Sequence, residues 1–545
     1  MKKYLFAITI LSLLPLYSLL HPGMFIAHDS EAHVVRVASF YQSLTEGNIF
    51  PRWSHSLNAG YGHPILMFLY PLSSYLSALF HFLGWNYVDS IKLVLAFGYL
   101  GAGVLMYAWL RKHFSPQAAF VGAAVFQFAP YRFVNLYVRN ALGENTAFLF
   151  MPLTLLCFYA LIKSPSYQKI VFASLSLAGL ILAHNAVSLM FLPFLITYCA
   201  ILIWSSPKKS LAASYWLLAT ALAFSVSAFF WIPAMLEAKY TLRDIVMRGD
   251  TFAVHFPSLK QLIIPSWGYD NSIPGDKDDL SFQIGLIQWG AFITGLIALW
   301  KHKTSSNRWL GWFAIVTFLI SVFLLLNISL LAWKILPLIK NFQFPWRFLT
   351  LPAFASGILA ALVVSSPPRW LSRLLGGGII MAALLLTYSY WRPISWNFPP
   401  EAKLISEYLG TSDTGESVPR WAIRFQEKRA DNTLGMVEGE DFESTINTRI
   451  SELHEHTITA VVPTKVSENT LYFPGWKVYI DGQEVPISYE DISWRGVIIY
   501  TVPKGTHNIR VVFEETKVRK VANMITIISF GIIGILCLKS TRFHS

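Results

Sequence analysis

The chain has 545 residues, of which 54% are hydrophobic and 15% aromatic, while only 14% are charged. A soluble domain carries roughly 25% charge, and the mean hydropathy here is +0.47. That balance excludes a soluble enzyme, a disordered scaffold and a fibrous protein, and points to many bilayer-spanning helices of about 20 apolar residues each. The net charge of +12 is no sign of a nucleic-acid partner, because the basic residues sit in short loops between apolar runs, where they orient helices. Cys157, Cys199 and Cys537 all fall in apolar stretches and offer neither a disulfide framework nor a CxxC motif.

Met1-Lys2-Lys3 precedes an apolar run from Tyr4 to Leu20. No small-x-small pattern stands before His21, so this run reads as an uncleaved first helix. Further runs lie near 90–110, 116–134, 147–162, 170–184, 187–204, 211–232, 282–300, 309–327, 347–364, 374–391 and 521–538. The segment 64–83 starts at His63-Pro64, contains Pro71 and carries Ser73, Ser74, Ser77 and His81. If it does not cross, one set of loops holds Lys2/Lys3, Arg111/Lys112, Lys163/Lys169, Lys208/Lys209, Lys301/Lys303/Arg308, Arg369/Arg373 and Lys539/Arg542, with no Asp or Glu. Such a bias places those loops in the cytoplasm. The sequence therefore predicts an α-helical polytopic membrane protein of about twelve transmembrane helices, with 64–83 as a helix along the outer face and both termini cytoplasmic.

The segment 392–519 alternates in its second half, as in Thr457-Ile458-Thr459-Ala460-Val461-Val462 and Trp476-Lys477-Val478-Tyr479-Ile480. Asp481-Gly482 and Lys504-Gly505 read as tight turns. The expected organisation is a transmembrane domain over 1–391, an extracytoplasmic β-sandwich-like domain over 392–519, and a final helix with a cytoplasmic tail over 520–545.

The first outer loop opens with His28-Asp29-Ser30-Glu31-Ala32-His33-Val34-Val35-Arg36. On a helix, Asp29, His33 and Arg36 share one face; a solvated loop whose charges cap a helix has the same spacing. The next outer loop carries Arg132, Asn135 and Arg139-Asn140-Ala141-Leu142-Gly143-Glu144-Asn145. A carboxylate there is costly against lipid and should face a polar cavity or a partner, or else favour the helix N-terminus. His184-Asn185 ends the fifth span. Arg347, in Phe342-Gln343-Phe344-Pro345-Trp346-Arg347, reads as a snorkelling anchor beside Trp346 or as a phosphate ligand. His28 and His33 have a metal-like spacing but no third ligand nearby, and Asp276-Lys277-Asp278-Asp279 beside Pro274-Gly275 reads as a solvated turn. No metal site is assigned, although a divalent metal stays open as a cofactor. There is no phosphate-cradling Gly-rich loop for ATP. Gly376-Gly377-Gly378 lies in a span, where small residues allow close helix packing.

The order of these features resembles the GT-C superfamily of polytopic glycosyltransferases, and more narrowly the bacterial YfhO-like membrane proteins. It is also similar to membrane proteins labelled as related to 6-pyruvoyl-tetrahydropterin synthase. The strings that carry the resemblance are His28-Asp29-Ser30-Glu31, Ala129-Pro130-Tyr131-Arg132, Arg139-Asn140-Ala141-Leu142-Gly143-Glu144, Phe344-Pro345-Trp346-Arg347 and Phe473-Pro474-Gly475-Trp476-Lys477-Val478-Tyr479-Ile480-Asp481-Gly482. The resemblance implies transfer of a sugar from a polyprenyl-phosphate donor to an envelope polysaccharide, lipid or protein acceptor at the cell membrane. It implies Asp29 as general base with Glu31 as competitor, and Glu144 as the second acidic position. His28, His33, Arg36, Arg139, His184, Asn185 and Arg347 are the candidate substrate-binding residues. Soluble pterin-synthase chemistry needs three zinc-binding histidines, which the sequence does not assemble. The rival readings are a transporter or flippase for a lipid-linked glycan, which needs ionisable groups deep in the bundle, and a non-catalytic assembly factor, which needs only a filled, closed site.

Overall fold

The computed structural model describes the chain except for residues 1, 247–250, 265, 276–277, 302–306, 337–338, 340–341, 430–432 and 543–545. Its helices are α1 (Lys2–Leu13), α2 (Ser30–Thr45), α3 (Leu72–Phe82), α4 (Tyr87–Leu110), α5 (Pro116–Gln127), α6 (Leu142–Lys163), α7 (Tyr167–Ala183), α8 (Asn185–Trp204), α9 (Lys209–Val226), α10 (Leu286–Lys301), α11 (Arg308–Leu325), α12 (Thr350–Ser365), α13 (Arg369–Thr387) and α14 (Lys517–Arg542), with shorter turns between them. Their starts are written in the sequence. The Asn86 side chain accepts from the Asp89 N–H before α4, Ser115 does the same for Ala118 with Pro116 at the first helical position, and Ser166 caps α7 through Lys169.

Among the described residues, nine helical segments are long and apolar enough to cross a membrane. Two more expected spans, α7 and α10, are shorter apolar helices. The run 116–134 is broken: α5 stops at Gln127, and Pro130 starts a separate turn, because a proline inside the helix would remove a hydrogen bond and clash with the preceding turn. α3, at 11 residues, reaches only about 16 Å and is too short for a hydrocarbon core of about 30 Å; it packs on α2 and α4. The outward faces carry large apolar side chains such as Leu217, Ile293, Ile297, Val316, Leu319, Leu385 and Ile527, as lipid contact requires.

Helices approach closely where side chains vanish. A Cβ on Gly122 would stand 2.4 Å from the Gly357 carbonyl oxygen, locking α5 against α12. Of the expected Gly376-Gly377-Gly378 packing, only Gly376 meets a neighbouring helix, at Val121; the other two glycines face open space.

The segment before the last helix holds two antiparallel sheets. Strands β1 (Leu434–Glu438), β4 (Thr464–Leu471) and β7 (Val497–Val502) form one, in the order β1-β4-β7. Strands β2 (Phe442–Ile450), β3 (Leu453–Ala460), β5 (Trp476–Ile480), β6 (Gln483–Val485) and β8 (Gly505–Phe513) form the other, in the order β2-β3-β8-β5-β6. Asp481 and Gly482 both have positive φ, as the two-residue hairpin between β5 and β6 demands. Ile458, Val466, Val478, Ile498 and Val511 fill the interior.

This unit is fastened to the helical part rather than tethered by a linker. Trp53, Met67 and Leu242 belong to its core cluster, and the Trp53 ring lies 5.4 Å from that of Trp476. Arg519, on α14, donates from Nη2 to Pro474 O of the β-unit and from Nε to Glu237 Oε2 at 2.8 Å, and the Arg519 and Glu237 side chains are both buried. Breaking such a pair leaves an uncompensated buried charge, worth about 3–5 kcal/mol. Arg519→Ala should therefore lower the melting temperature of detergent-purified protein, and the double variant with Glu237→Ala should lose less than the sum of the two single losses.

Candidate functional site

The turn between α5 and α6 is built from unusual backbone. After Pro130–Phe133, residues Val134–Val138 form a π-turn, so that the Arg139 N–H donates to Val134 O five residues back. Such turns bulge the helix and re-aim the residues that follow. Asn140 then takes a left-handed φ of 54°, which asparagine tolerates better than most residues, and α6 starts at Leu142. The result sends the side chains of Arg139 and Glu144 toward each other across five residues of chain.

Glu144 is 1% exposed and fully engaged. Its Oε1 accepts from Arg139 Nη1 at 3.0 Å and lies 3.6 Å from Arg347 Nε and 3.8 Å from His184 Nε2. Its Oε2 accepts from the Tyr131 hydroxyl at 2.9 Å. The Arg139 Nη1 also donates to Asn135 Oδ1 at 2.8 Å, and its guanidinium lies 4.6 Å over the Trp346 ring. Arg347 Nη1 is held by Phe342 O and Gln343 Oε1, while its Nε has no hydrogen-bond partner. His184 caps α8 by accepting from the Val187 N–H at Nδ1, which puts the proton of the neutral ring on Nε2, facing Glu144. Tyr70 covers this group: its ring lies 4.5 Å from that of His184, and a Cβ on Gly143 would stand 2.0 Å from it.

The first loop meets this turn through its backbone. The N–H groups of His28 and Asp29 donate to Val138 O and Arg139 O at 3.1 and 3.0 Å. Two side-chain bonds repeat the seam, His33 Nε2 to Asn140 O at 2.9 Å and Asn140 Nδ2 to Ser30 Oγ at 3.0 Å. Asp29 occupies the N-cap of α2 but makes no side-chain cap bond there. Its half-buried carboxylate has no hydrogen bond or ion pair among the described residues, yet it acts electrostatically on Arg139 and Tyr70, as Glu144 does. The two acidic positions of separate loops thus converge on Arg139, one through its side chain and one through its backbone.

The other sequence candidates take separate positions. Glu31 is exposed. Arg36 is buried and turned to Ser412, donating to its carbonyl and hydroxyl oxygens, so it pins the segment around Ser412 to α2. His28 Nε2 bonds Tyr269 O at 2.9 Å; His28 and His33 face different carbonyls and do not form a joint metal site. Asn185 is exposed and bonds the N–H of Ala186. Asp278 ties its own turn through Ser272, Ile273 and Leu280, whereas Asp276 and Lys277 of that run, like Pro265 of the preceding loop, lie outside the described residues. Sequence reasoning missed Tyr70 and the role of Tyr131; the only available signal was an aromatic directly before Pro71 and another directly after Pro130.

Two shallow cavities lie elsewhere, with none of Asp29, Arg139, Glu144 or Arg347 in their lining. One of about 310 Å³ is lined by Ser39, Tyr41, Gln42, Thr45 and Tyr87, the other of about 200 Å³ by Gln283, Gln288, Leu386 and Tyr390.

A family profile described as the 6-pyruvoyl-tetrahydropterin synthase related domain, a membrane protein, matches residues 66–394. A curated but uncharacterised protein of Lactococcus lactis subsp. cremoris is 24% identical over 262 residues, which are 45% of this chain and 42% of that protein. Among solved structures, arabinofuranosyltransferase AftD from Mycobacteria is similar at a TM-score of 0.44 and 14% identity, over 78% of this chain and 28% of that one. ArnT from Cupriavidus metallidurans is similar at 0.41 and 17%, over 74% and 68%. The Archaeoglobus fulgidus oligosaccharyltransferase is similar at 0.44 and 13%, over 76% and 60%. The chain thus spans less than half the length of the curated relative and less than a third of AftD.

Two outcomes follow from the geometry. Glu144→Gln removes the one negative charge that Arg139 and Arg347 share, and should destabilise the purified protein by about 3–5 kcal/mol in thermal or denaturant unfolding. Burial, reinforced by neighbouring Arg36, pushes His33 from 6.5 down to about 4, and burial does the same to His63. The unfolded chain takes up these protons from about pH 6.5, the folded chain only near pH 4. Stability should therefore fall as the pH drops from about 6.5 to 4 and level off below that. A His33→Phe variant should show a shallower fall in melting temperature across the same window.

Proposed function

The chain belongs to the 6-pyruvoyl-tetrahydropterin synthase related family of membrane proteins, and from that premise we propose that it is a membrane glycosyltransferase of the GT-C kind. It moves a sugar from a polyprenyl-phosphate donor to an extracytoplasmic envelope acceptor. The observation that carries this reading is an uncommitted carboxylate, Asp29, on a loop whose backbone is bonded to Arg139, which together with Arg347 is held by buried Glu144.

A lipid-phosphate sugar keeps its tail in the bilayer and its charged head at the interface. The phosphate fits guanidinium donors, and Arg347, whose side chain beside Glu144 keeps 15% of its surface exposed, offers them. Asp29 takes the proton of the acceptor hydroxyl as the oxygen attacks the anomeric carbon. The bond from that carbon to the phosphate oxygen breaks, and polyprenyl phosphate leaves with the electron pair, its charge met by Arg347 and Arg139. One displacement at the anomeric carbon inverts its configuration. Glu144 sets the positions of the two arginines; His33 is committed to Asn140 and needs no help from it. The acid-free basic loops favour a plasma-membrane protein with both termini in the cytoplasm, which puts this site on the outer face.

A second reading, a non-catalytic assembly factor, draws support from the closure around Glu144. The two readings part on one experiment. Purified protein is incubated with a panel of polyprenyl-phosphate sugars, and released polyprenyl phosphate is measured. Wild type should release it, and Asp29→Asn, which keeps size and loses basicity, should be slower by at least about 100-fold. Wild-type rates in a folded Asp29→Asn protein would remove Asp29 as base, and no release from any donor would favour the assembly factor.

A further inference from the structure

The β-domain buries a polar group in the layer between its sheets that the proposed transfer does not use. His454 and His456 stand two residues apart on β3, so both point to the same face, and they are 1% and 0% exposed. Glu468, at 0% exposed, comes from β4 in the opposite sheet. His454 Nδ1 lies 2.9 Å from Glu468 Oε1, and His456 Nε2 lies 2.9 Å from Oε2. The three ligand atoms all lie within 4.8 Å of one another.

We propose that His454, His456 and Glu468 form a site for a zinc-like divalent transition metal that staples the two sheets of the β-domain together. Two imidazole nitrogens and one carboxylate oxygen are a donor set that suits zinc and its neighbours rather than calcium or magnesium, which take oxygen ligands. Metal–ligand bonds of about 2.0–2.2 Å place tetrahedral ligand atoms about 3.3–3.6 Å apart, so the 2.9 Å contacts to the two carboxylate oxygens open by a few tenths of an ångström, while the widest separation, up to 4.8 Å, closes by about 1.2 Å through side-chain rotation. The surroundings are polar in a way that direct contacts leave unused. The hydroxyl of Tyr500, itself 2% exposed, is buried with no hydrogen-bond partner, and so is the indole N–H of Trp476, whose ring lies 5.3 Å from His454. Tyr500 lies within electrostatic reach of Glu468 and offers a partner for a water in the fourth metal position. Arg449 also donates to Glu468 Oε1, and its side chain is 27% exposed. It can turn to solvent as a dication enters, which keeps the buried charge from rising by the full amount.

The test uses the full chain in detergent. Protein stripped with a chelator and dialysed is titrated with Co²⁺ as a spectroscopic probe and with Zn²⁺ as a competitor, and bound metal is counted by elemental analysis. The expected result is one tightly bound ion per chain, a tetrahedral Co²⁺ visible spectrum bleached by one equivalent of Zn²⁺, and a melting temperature that rises with Zn²⁺. His456→Gln and Glu468→Gln should each lose the spectrum and the Zn²⁺-dependent rise, whereas His184→Gln, remote from the β-domain, should keep both. Wild-type protein that shows no tetrahedral spectrum, or a spectrum and rise that survive in a folded His456→Gln protein, would overturn the proposal.

Discussion

One end of the helical bundle depends on a single buried charge. Glu144 sits among Arg139, Arg347, His184 and Tyr131 with almost no exposure. A lone carboxylate there would be prohibitively costly, and two lone guanidiniums would be worse. Together they settle three chain segments distant in sequence: the turn before α6, the link from α7 to α8, and the entry to α12. Because Arg139 is fixed by its side chain, its carbonyl is fixed too, and this carbonyl receives the N–H of Asp29. The position of the first loop is therefore a consequence of the ion cluster.

That arrangement separates two roles that similar carboxylates could fill. Glu144 has its oxygens occupied, so it organises. Asp29 stands at the N-cap of α2 without a side-chain cap bond, which in the proposed transfer leaves its carboxylate to accept a proton. Arg347 stands between them in commitment, with Nη1 tied to backbone and side-chain oxygens and Nε 3.6 Å from Glu144. Environment, rather than residue type, divides positioning from chemistry.

Much of the fold was legible because apolar length and loop charge are local signals. Most of the spans, a helix within 64–83 (found over 72–82, after a break at Pro71) and the Asp481-Gly482 hairpin follow from composition within a few turns of chain. The break at Phe128–Pro130 was less legible, since the apolar run continues through it. The site was legible in part. The α2 face carrying His33 and Arg36 was foreseen, but not that Arg36 turns to Ser412, a contact across 376 residues. Arg347 read as a surface anchor beside Trp346 or as a phosphate ligand; in the structure Trp346 stacks on Arg139, and Arg347 turns to Glu144. The pairing of His454 and His456 with Glu468 is a contact between sheets, which strand alternation alone does not reveal.

The central claim is that Glu144 holds Arg139 and Arg347 as a receptor for a lipid-borne phosphate beside Asp29. It is tested most directly by comparing binding of a short-chain polyprenyl phosphate and the matching uncharged polyprenol to wild type, Arg347→Gln and Arg139→Gln in detergent. The account requires wild type to prefer the phosphate by at least about tenfold, or 1.4 kcal/mol, and both variants to lose that preference while binding the alcohol unchanged. Equal affinity for phosphate and alcohol in wild type, or a preference that survives both substitutions, would contradict it.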